Sequence, residues 1–386
     1  MLEGVNVALG VSGSIAAVKT VELAHELRRQ GASVRAVMSD SARGIIHPWA
    51  LEFATENDVV TEITGGVEHV ALCGNDGWAD VLLLAPTTAN TVGKIAGAID
   101  DTPVTTCATT ALGADVPVVI APAMHEPMYN HPGVLEAIDR VESWGVAFVD
   151  PRIEEGKAKI ATEEAIVCEV ARSVGERPLE GRHVVVTSGA TAESVDPVRV
   201  LTNRSSGKMG RAVARACYVH GADVTLVHDG TDVPYADVTP VESAAEMLEA
   251  TQAACEDADA LVCAAAIGDY TLEASEEKLR SGQELTLDLE PTPKLLDTVR
   301  DEYADLPIVA FKAETSGDDG AMIDAAREVL ERVDAAFVVA NDASVMGDDR
   351  TRALLVHADD VAQFSGSKVG LATEIARSLA VVVESG

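Results

Sequence analysis

An apolar run that feeds a helix through a glycine-rich turn restricts this chain more than any other pattern. Val184-Val185-Val186 is followed by Thr187-Ser188-Gly189-Ala190-Thr191, and then by Asp196-Pro197-Val198-Arg199-Val200-Leu201-Thr202-Asn203-Arg204-Ser205-Ser206-Gly207-Lys208-Met209-Gly210. A helical pattern with Val213, Ala216 and Cys217 on one face comes next. A strand that enters a helix in this way belongs to an α/β fold. Ser205, Ser206, Gly207 and Lys208 stand at the mouth of the connection, where free backbone N–H groups and the helix dipole face an anion. Asn203 offers both a donor and an acceptor to a reacting carbonyl. Glycine loops are common, so the pattern alone leaves a loop without a ligand as the alternative.

The rest of the chain reads as two α/β halves. The first opens with a strand at Val5–Val11, a turn at Ser12-Gly13-Ser14, and a helix with Ala17, Val21, Ala24 and Leu27 at helical spacing. Gly31 suits a helix C-terminus, and Val34–Met38 supplies the next strand. Val81–Ala85 and Val116–Ile120 read as buried parallel strands, and a helix around Glu163 to Ser173 closes the half. Gly175–Gly181 reads as a linker, which divides the chain into 1–175 and 181–386. In the second half, strands are expected at Val224–Val227, Ala260–Ala264, Ile308–Phe311 and Ala336–Ala340. Both halves are read as doubly wound, Rossmann-like domains with ligands at the C-terminal strand ends.

Charge excludes one class of partner. With 63 acidic and 29 basic residues the net charge is −34, spread along all 386 residues, so a nucleic acid backbone would be repelled. Dispersed acidity with few lysines resembles proteins of extreme halophiles, where the Debye length falls to about 3 Å and self-repulsion is screened. No run reaches the roughly 18 apolar residues of a membrane span. The opening Met1-Leu2-Glu3-Gly4 lacks a basic leader, so a cytoplasmic location is expected. None of the six cysteines forms a CxxC pair, which argues for small buried residues over zinc or disulfide frameworks.

Three loops of the first half should converge at one sheet edge: Ser12-Gly13-Ser14, Ser39, and Pro86-Thr87-Thr88-Ala89-Asn90. They offer hydroxyls, an amide and backbone N–H groups with little positive charge. Such a set suits a phosphate held by dipoles beside a planar ring. The Gly10-x-Ser12-Gly13 pattern lacks the full dinucleotide fingerprint, so a mononucleotide such as FMN fits better. His69 is a candidate catalytic group, with a structural role as the alternative. A metal pair at His125 and His131 lacks a carboxylate at convincing spacing.

These motifs together resemble the bifunctional phosphopantothenoylcysteine decarboxylase/phosphopantothenate–cysteine ligase family of coenzyme A biosynthesis, over nearly the whole chain. Gly10–Ala17 and Ala85–Thr91 match the flavin loops of its decarboxylase half, and His69 matches the active-site histidine. Pro122-Ala123-Met124-His125-Glu126-Pro127-Met128-Tyr129 matches the substrate motif, with His125 where the bacterial pattern has asparagine. The flap at Glu154–Ile160 lacks the bacterial cysteine and carries Lys157 and Lys159 instead. One of these could clamp the substrate anion or replace the cysteine as proton donor, with two solvated lysines as the alternative. In the ligase half, Asn203–Gly210, Ala264–Tyr270, Glu277–Arg280, Phe311–Thr315 and Ala340–Asp342 match.

The resemblance implies a flavodoxin-like flavoprotein domain followed by a nucleotide-binding ligase domain. The ligase would activate 4′-phosphopantothenate with CTP or ATP as an acyl-nucleotide, and Mg²⁺ would offset the triphosphate charge. Asn203 and Lys278 would then stabilise the oxyanion as the cysteine amine attacks, with Asp269 and Phe311 lining the nucleotide site. Decarboxylation would run through a thioaldehyde that serves as electron sink, with FMN taking and returning the electrons. Family resemblance also implies trimers of the flavin domain and dimers of the ligase domain, with a dodecamer as one combination. An active ligase joined to a regulatory flavin-binding module is the competing expectation.

Overall fold

The computed structural model describes residues 1–280, 282, 284–314, 318–342 and 350–385. The chain divides into two compact units, Met1–Gly175 and Glu176–Gly386.

In the first unit five strands form a parallel sheet in the order Ser33–Met38, Asn6–Val11, Val81–Thr87, Val118–Pro122 and Ala147–Phe148. All seven residues of Val81–Thr87 are buried, because helices cover both faces of the sheet. That burial explains a continuous apolar run in place of alternation. The winding direction reverses between Asn6–Val11 and Val81–Thr87. The loops leaving these two strands therefore diverge and open a crevice. The helix after the first strand differs from its expected face. It opens as a 3₁₀ segment, Ile15–Lys19, before Thr20–Arg29. The tighter turn shifts the stripe, so Thr20 and Leu23 join Ala17, Ala24 and Leu27 in the core while Val21 is half-buried.

The second unit holds an eight-stranded sheet in the order Asp237–Pro240, Asp223–His228, His183–Thr187, Ala260–Cys263, Ile308–Glu314, Phe337–Asp342, Arg350–Val356 and Val361–Ser367. The first six are parallel, and their winding reverses beside His183–Thr187. The last two are an antiparallel hairpin that extends the doubly wound core. Outside this sheet, Ala192–Asp196 and Arg199–Thr202 form a small hairpin where the sequence suggested only loop. Asp196 makes its turn, accepting the backbone N–H groups of Val198 and Arg199 at 2.8 Å each. All six cysteines are buried and none is in a disulfide. Among the described residues no helix is long and apolar enough to cross a membrane.

Candidate active sites

The crevice of the first unit gathers the expected loops. Ser12 Oγ donates to Pro86 O at 2.8 Å and accepts from Thr88 N at 3.1 Å, so it ties the first loop to the third. Ser14 Oγ reaches Ala123 O at 3.1 Å. Ser39 Oγ turns back to Val11 O, and the buried Thr87 Oγ1 donates to Leu84 O at 2.7 Å. Three of the hydroxyls thus bond within the loops themselves. Ser12, Ser39 and Thr87 are buried and hold the loops in shape, because a buried hydroxyl must find a partner inside. Gly13, Ser14, Thr88, Ala89 and Asn90 remain partly or fully exposed. A Cβ on Gly13 would collide with Ser41, so the two loops approach as closely as backbone allows. Thr88 caps the Ala89–Ala96 helix, whose N-terminus faces the same crevice end of the sheet.

His69 lies in the short helix Glu68–Cys73 and is half-buried. Its Nδ1 is buried with no hydrogen-bond partner. Such an orphan is costly unless a bound group completes it. His131 instead accepts from Gly133 N at 3.1 Å and starts the Pro132–Glu142 helix. No cluster of three or more metal-ligating side chains occurs among the described residues.

The flap is a hairpin. Arg152–Glu154 pairs with Lys157–Lys159 through a turn at Glu155-Gly156, both with positive φ. Lys157–Lys159 also pairs with Met124–His125, placing Lys157 opposite His125 and Ala158 opposite Met124. Cross-strand partners share a face, so Glu154, Lys157 and His125 form one row. Lys159 is committed elsewhere. Its Nζ pairs with Glu154 at 2.9 Å and Glu155 at 3.1 Å, and these carboxylates, Glu154 first, raise its pKa. These pairs shift Lys159 in the direction opposite to the one proton donation would need. Lys157 is exposed and has no ion-pair partner among the described residues.

The second unit holds a cavity of about 460 Å³ at its winding reversal. The expected Ser205, Ser206, Gly207, Lys208, Asp269 and Phe311 all line it. Its walls are built by short bonds. Ser188 Oγ donates to Gly207 O at 2.9 Å, Thr191 Oγ1 accepts from Gly268 N at 2.8 Å, and Thr292 Oγ1 donates to Gly268 O at 2.6 Å. Gly189 and Gly207 both have positive φ, and a Cβ on Gly207 would come 3.0 Å from Gly189 Cα. The glycines thus let two loops meet backbone to backbone.

Charge marks the cavity. Among the described residues, Arg204, Lys208, Lys294, Lys312, Arg332 and Lys368 line it against one carboxylate, Asp269. The chain has only 29 basic residues against 63 acidic ones, so this wall concentrates the scarce sign. Lys294 pairs with Asp269 at 2.5 Å, and Arg332 pairs with Asp297. Sequence reasoning missed Lys294, Arg332 and Lys368. A signal existed for the two lysines, because the chain has only nine and each was worth placing. Arg332 is brought in by the far end of the Asp319–Val333 helix and had none.

Two expected ligase residues, Asn203 and Lys278, are not among the described residues that line the cavity. Asn203 is exposed, with Nδ2 donating to Ala266 O at 2.9 Å on the cavity loop. Lys278 is exposed on a separate segment whose next residue, Leu279, donates its N–H to Asp196 Oδ2 at 3.0 Å. Asp196 is buried, which would raise its pKa, yet the N–H groups of Val198, Leu279 and Arg199 and the Arg199 guanidinium outweigh this and hold it low. Of the Phe311–Thr315 motif, Thr315 lies outside the described residues.

Comparison with known proteins agrees with this division. Residues 1–175 match the family model described as Flavoprotein, and residues 179–382 match the DNA/pantothenate metabolism flavoprotein C-terminal domain. A coenzyme A biosynthesis bifunctional protein CoaBC from Thermococcus kodakarensis is 48% identical over 364 residues, covering 93% of this chain and 90% of the relative. Its namesake from Methanocaldococcus jannaschii is 37% identical, covering 100% and 96%, and that from Bacillus subtilis 35%, covering 90% and 88%. With matches spanning both units, the chain belongs to the family of the coenzyme A biosynthesis bifunctional proteins.

Proposed function

We propose that the second unit ligates 4′-phosphopantothenate to cysteine at the expense of CTP or ATP, and that the first unit decarboxylates the product to 4′-phosphopantetheine. The observation that carries the reading is the cation-lined cavity of a chain with net charge −34. Both ligase substrates besides cysteine are polyanions, and six cations among the described lining residues suit them. In the cavity the phosphopantothenate carboxylate attacks the nucleotide α-phosphorus, the α–β phosphoanhydride breaks, and pyrophosphate leaves the acyl-nucleotide. Asn203 and Lys278 stabilise the oxyanion as the cysteine amine attacks, and the nucleotide monophosphate leaves. Mg²⁺ arrives on the triphosphate, since the described residues assemble no cluster to hold it alone.

The first unit takes FMN in this reading, and the bound flavin supplies reversible two-electron oxidation of the thiol-bearing carbon. Its residues fit such a group: the close approach of the Gly13 and Ser41 loops at the C-terminal strand ends and an unpartnered buried nitrogen on His69. His69 moves a proton at the reacting cysteine end, while His125 makes the contact to the substrate carboxylate and Lys157 clamps the substrate anion with its positive charge. Exposed Trp49 and Phe53 on the Pro48–Thr55 helix support self-association of this unit, with trimers joined through ligase dimers into a dodecamer. The enzyme is cytoplasmic and halophilic.

Mass analysis of products from phosphopantothenate and cysteine with each nucleotide tests the reading. Phosphopantetheine from yellow, FMN-loaded protein supports it; absence of phosphopantothenoylcysteine with either nucleotide refutes it. Replacing Lys157 by alanine should raise the decarboxylation KM roughly tenfold, the weight of one charged hydrogen bond. Replacing Lys159 should change it little, since its exposed pairs contribute about 0–1 kcal/mol. Equal effects would contradict the assignment. Melting temperature should rise steeply from low to molar KCl as 63 acidic groups are screened, and a flat profile would remove the halophile reading.

A further inference from the structure

Asp196 is charged yet only 2% exposed. Its Oδ1 accepts from the N–H groups of Val198 and Arg199, which any Asx turn would provide. Its Oδ2 does something further. It takes the N–H of Leu279, 83 residues away, and the guanidinium of its neighbour Arg199. Arg199 in turn donates to Leu279 O at 3.2 Å, and Ser275 N reaches Val195 O at 3.0 Å. Both backbone groups of Leu279 are therefore held by one acid–arginine pair, and Lys278 lies between these anchor points. On the other side, the Arg199–Thr202 strand runs directly into Asn203. Thr202 Oγ1 fixes that end on Thr191 O at 2.8 Å, and Asn203 reaches the cavity loop.

A turn needs only a neutral side-chain oxygen. Burying a full charge is costly unless several donors meet it, so the ionised group is retained for the partners a neutral one would hold less well. We infer that Asp196, together with Arg199, is a positioning residue for ligation that fixes Lys278 relative to Asn203. This rests on the reading of those two residues as the acyl-transfer pair.

The test uses the full chain with Asp196→Asn, Lys278→Gln and the double variant, and hydrogen exchange of the Leu279 amide. Asp196→Asn should lower ligation kcat on the order of 10²-fold, as expected when a catalytic group is displaced by about 1 Å, with nucleotide KM nearly unchanged. The double variant should be no slower than Lys278→Gln alone, because Asp196 acts through Lys278. Exchange at Leu279 should accelerate while the Val184–Val186 amides stay protected. Decarboxylation of supplied phosphopantothenoylcysteine should not change. If Asp196→Asn fails to fold, Arg199→Met removes the single nitrogen that bridges Asp196 Oδ2 and Leu279 O and should show the same non-additivity. Additive losses, or faster Leu279 exchange with wild-type ligation, overturn the positioning role. A wild-type chain that exchanges as expected but never ligates overturns the functional reading itself, and the positioning role with it.

Discussion

Asparagine in place of His69 is expected to stop CO₂ release while phosphopantothenoylcysteine accumulates. The buried Nδ1 has no partner inside the unit, so the substituted amide can keep the polar contact but cannot exchange a proton near neutral pH. The ring is carried on a defined support. Glu68 caps its own loop, accepting Thr64 N at 2.8 Å and the Thr64 hydroxyl, and Val67 turns the chain through a positive φ into the helix. The loss should reach about 10²- to 10⁴-fold, the usual contribution of a positioned acid or base. Mass analysis of the accumulated intermediate and direct CO₂ measurement check it. Because the ligase cavity is lined only by second-unit residues, nucleotide consumption should persist. A parallel fall in ligation would mean that the two half-reactions are not divided between the units.

Asp in place of Asn203 should produce the converse. The Nδ2 that donates to Ala266 O at 2.9 Å would become a carboxylate oxygen facing a carbonyl oxygen. The loop contact would be lost, and a fixed negative charge would stand where an oxyanion develops. Removal of one such donor typically costs 10²–10³-fold in turnover, and the added charge deepens the loss beyond about that range. Acyl-nucleotide trapping separates the two consequences: activation should survive better than transfer to cysteine. Intact transfer in this variant would dismiss Asn203 from the acyl-transfer step.

The fold was legible because buried parallel strands are apolar throughout. Val81–Ala85, Val184–Val186 and Ala260–Ala264 can be read without knowing their partners. The edge hairpin Arg350–Val356 and Val361–Ser367 was not, since its register depends on pairing with Phe337–Asp342. Loop residues were found, but their tasks were not. A serine that binds a phosphate and a serine that ties two loops together look alike until burial is known, as Ser12 and Ser39 demonstrate. The lysines carried more information than they were given. Seven of nine, all except Lys19 and Lys94, stand in the flap, on the Leu279 segment or around the cavity. In so acidic a chain a lysine is placed where an anion must be met. Asp196 was quoted only as part of a motif, because its distant partner Leu279 cannot be inferred from spacing.

The edge hairpin and the helix after it bear on how the protein is made. Thr351, Lys368 and Leu371 line the cavity, and the Lys368–Ser385 helix packs on the Lys208–Val219 helix that rises from the anion loop. During synthesis the anion loop leaves the ribosome long before the wall opposite it exists. The first unit has all five strands of its main sheet by residue 148, and that sheet can collapse while the rest is still being translated. The second must wait, its parallel core exposed on one edge, until the hairpin pairs with Phe337–Asp342 and covers it. A ligand held by this cavity would therefore stabilise the second unit only after translation has passed Leu371, and before that point the nascent chain depends on its own packing.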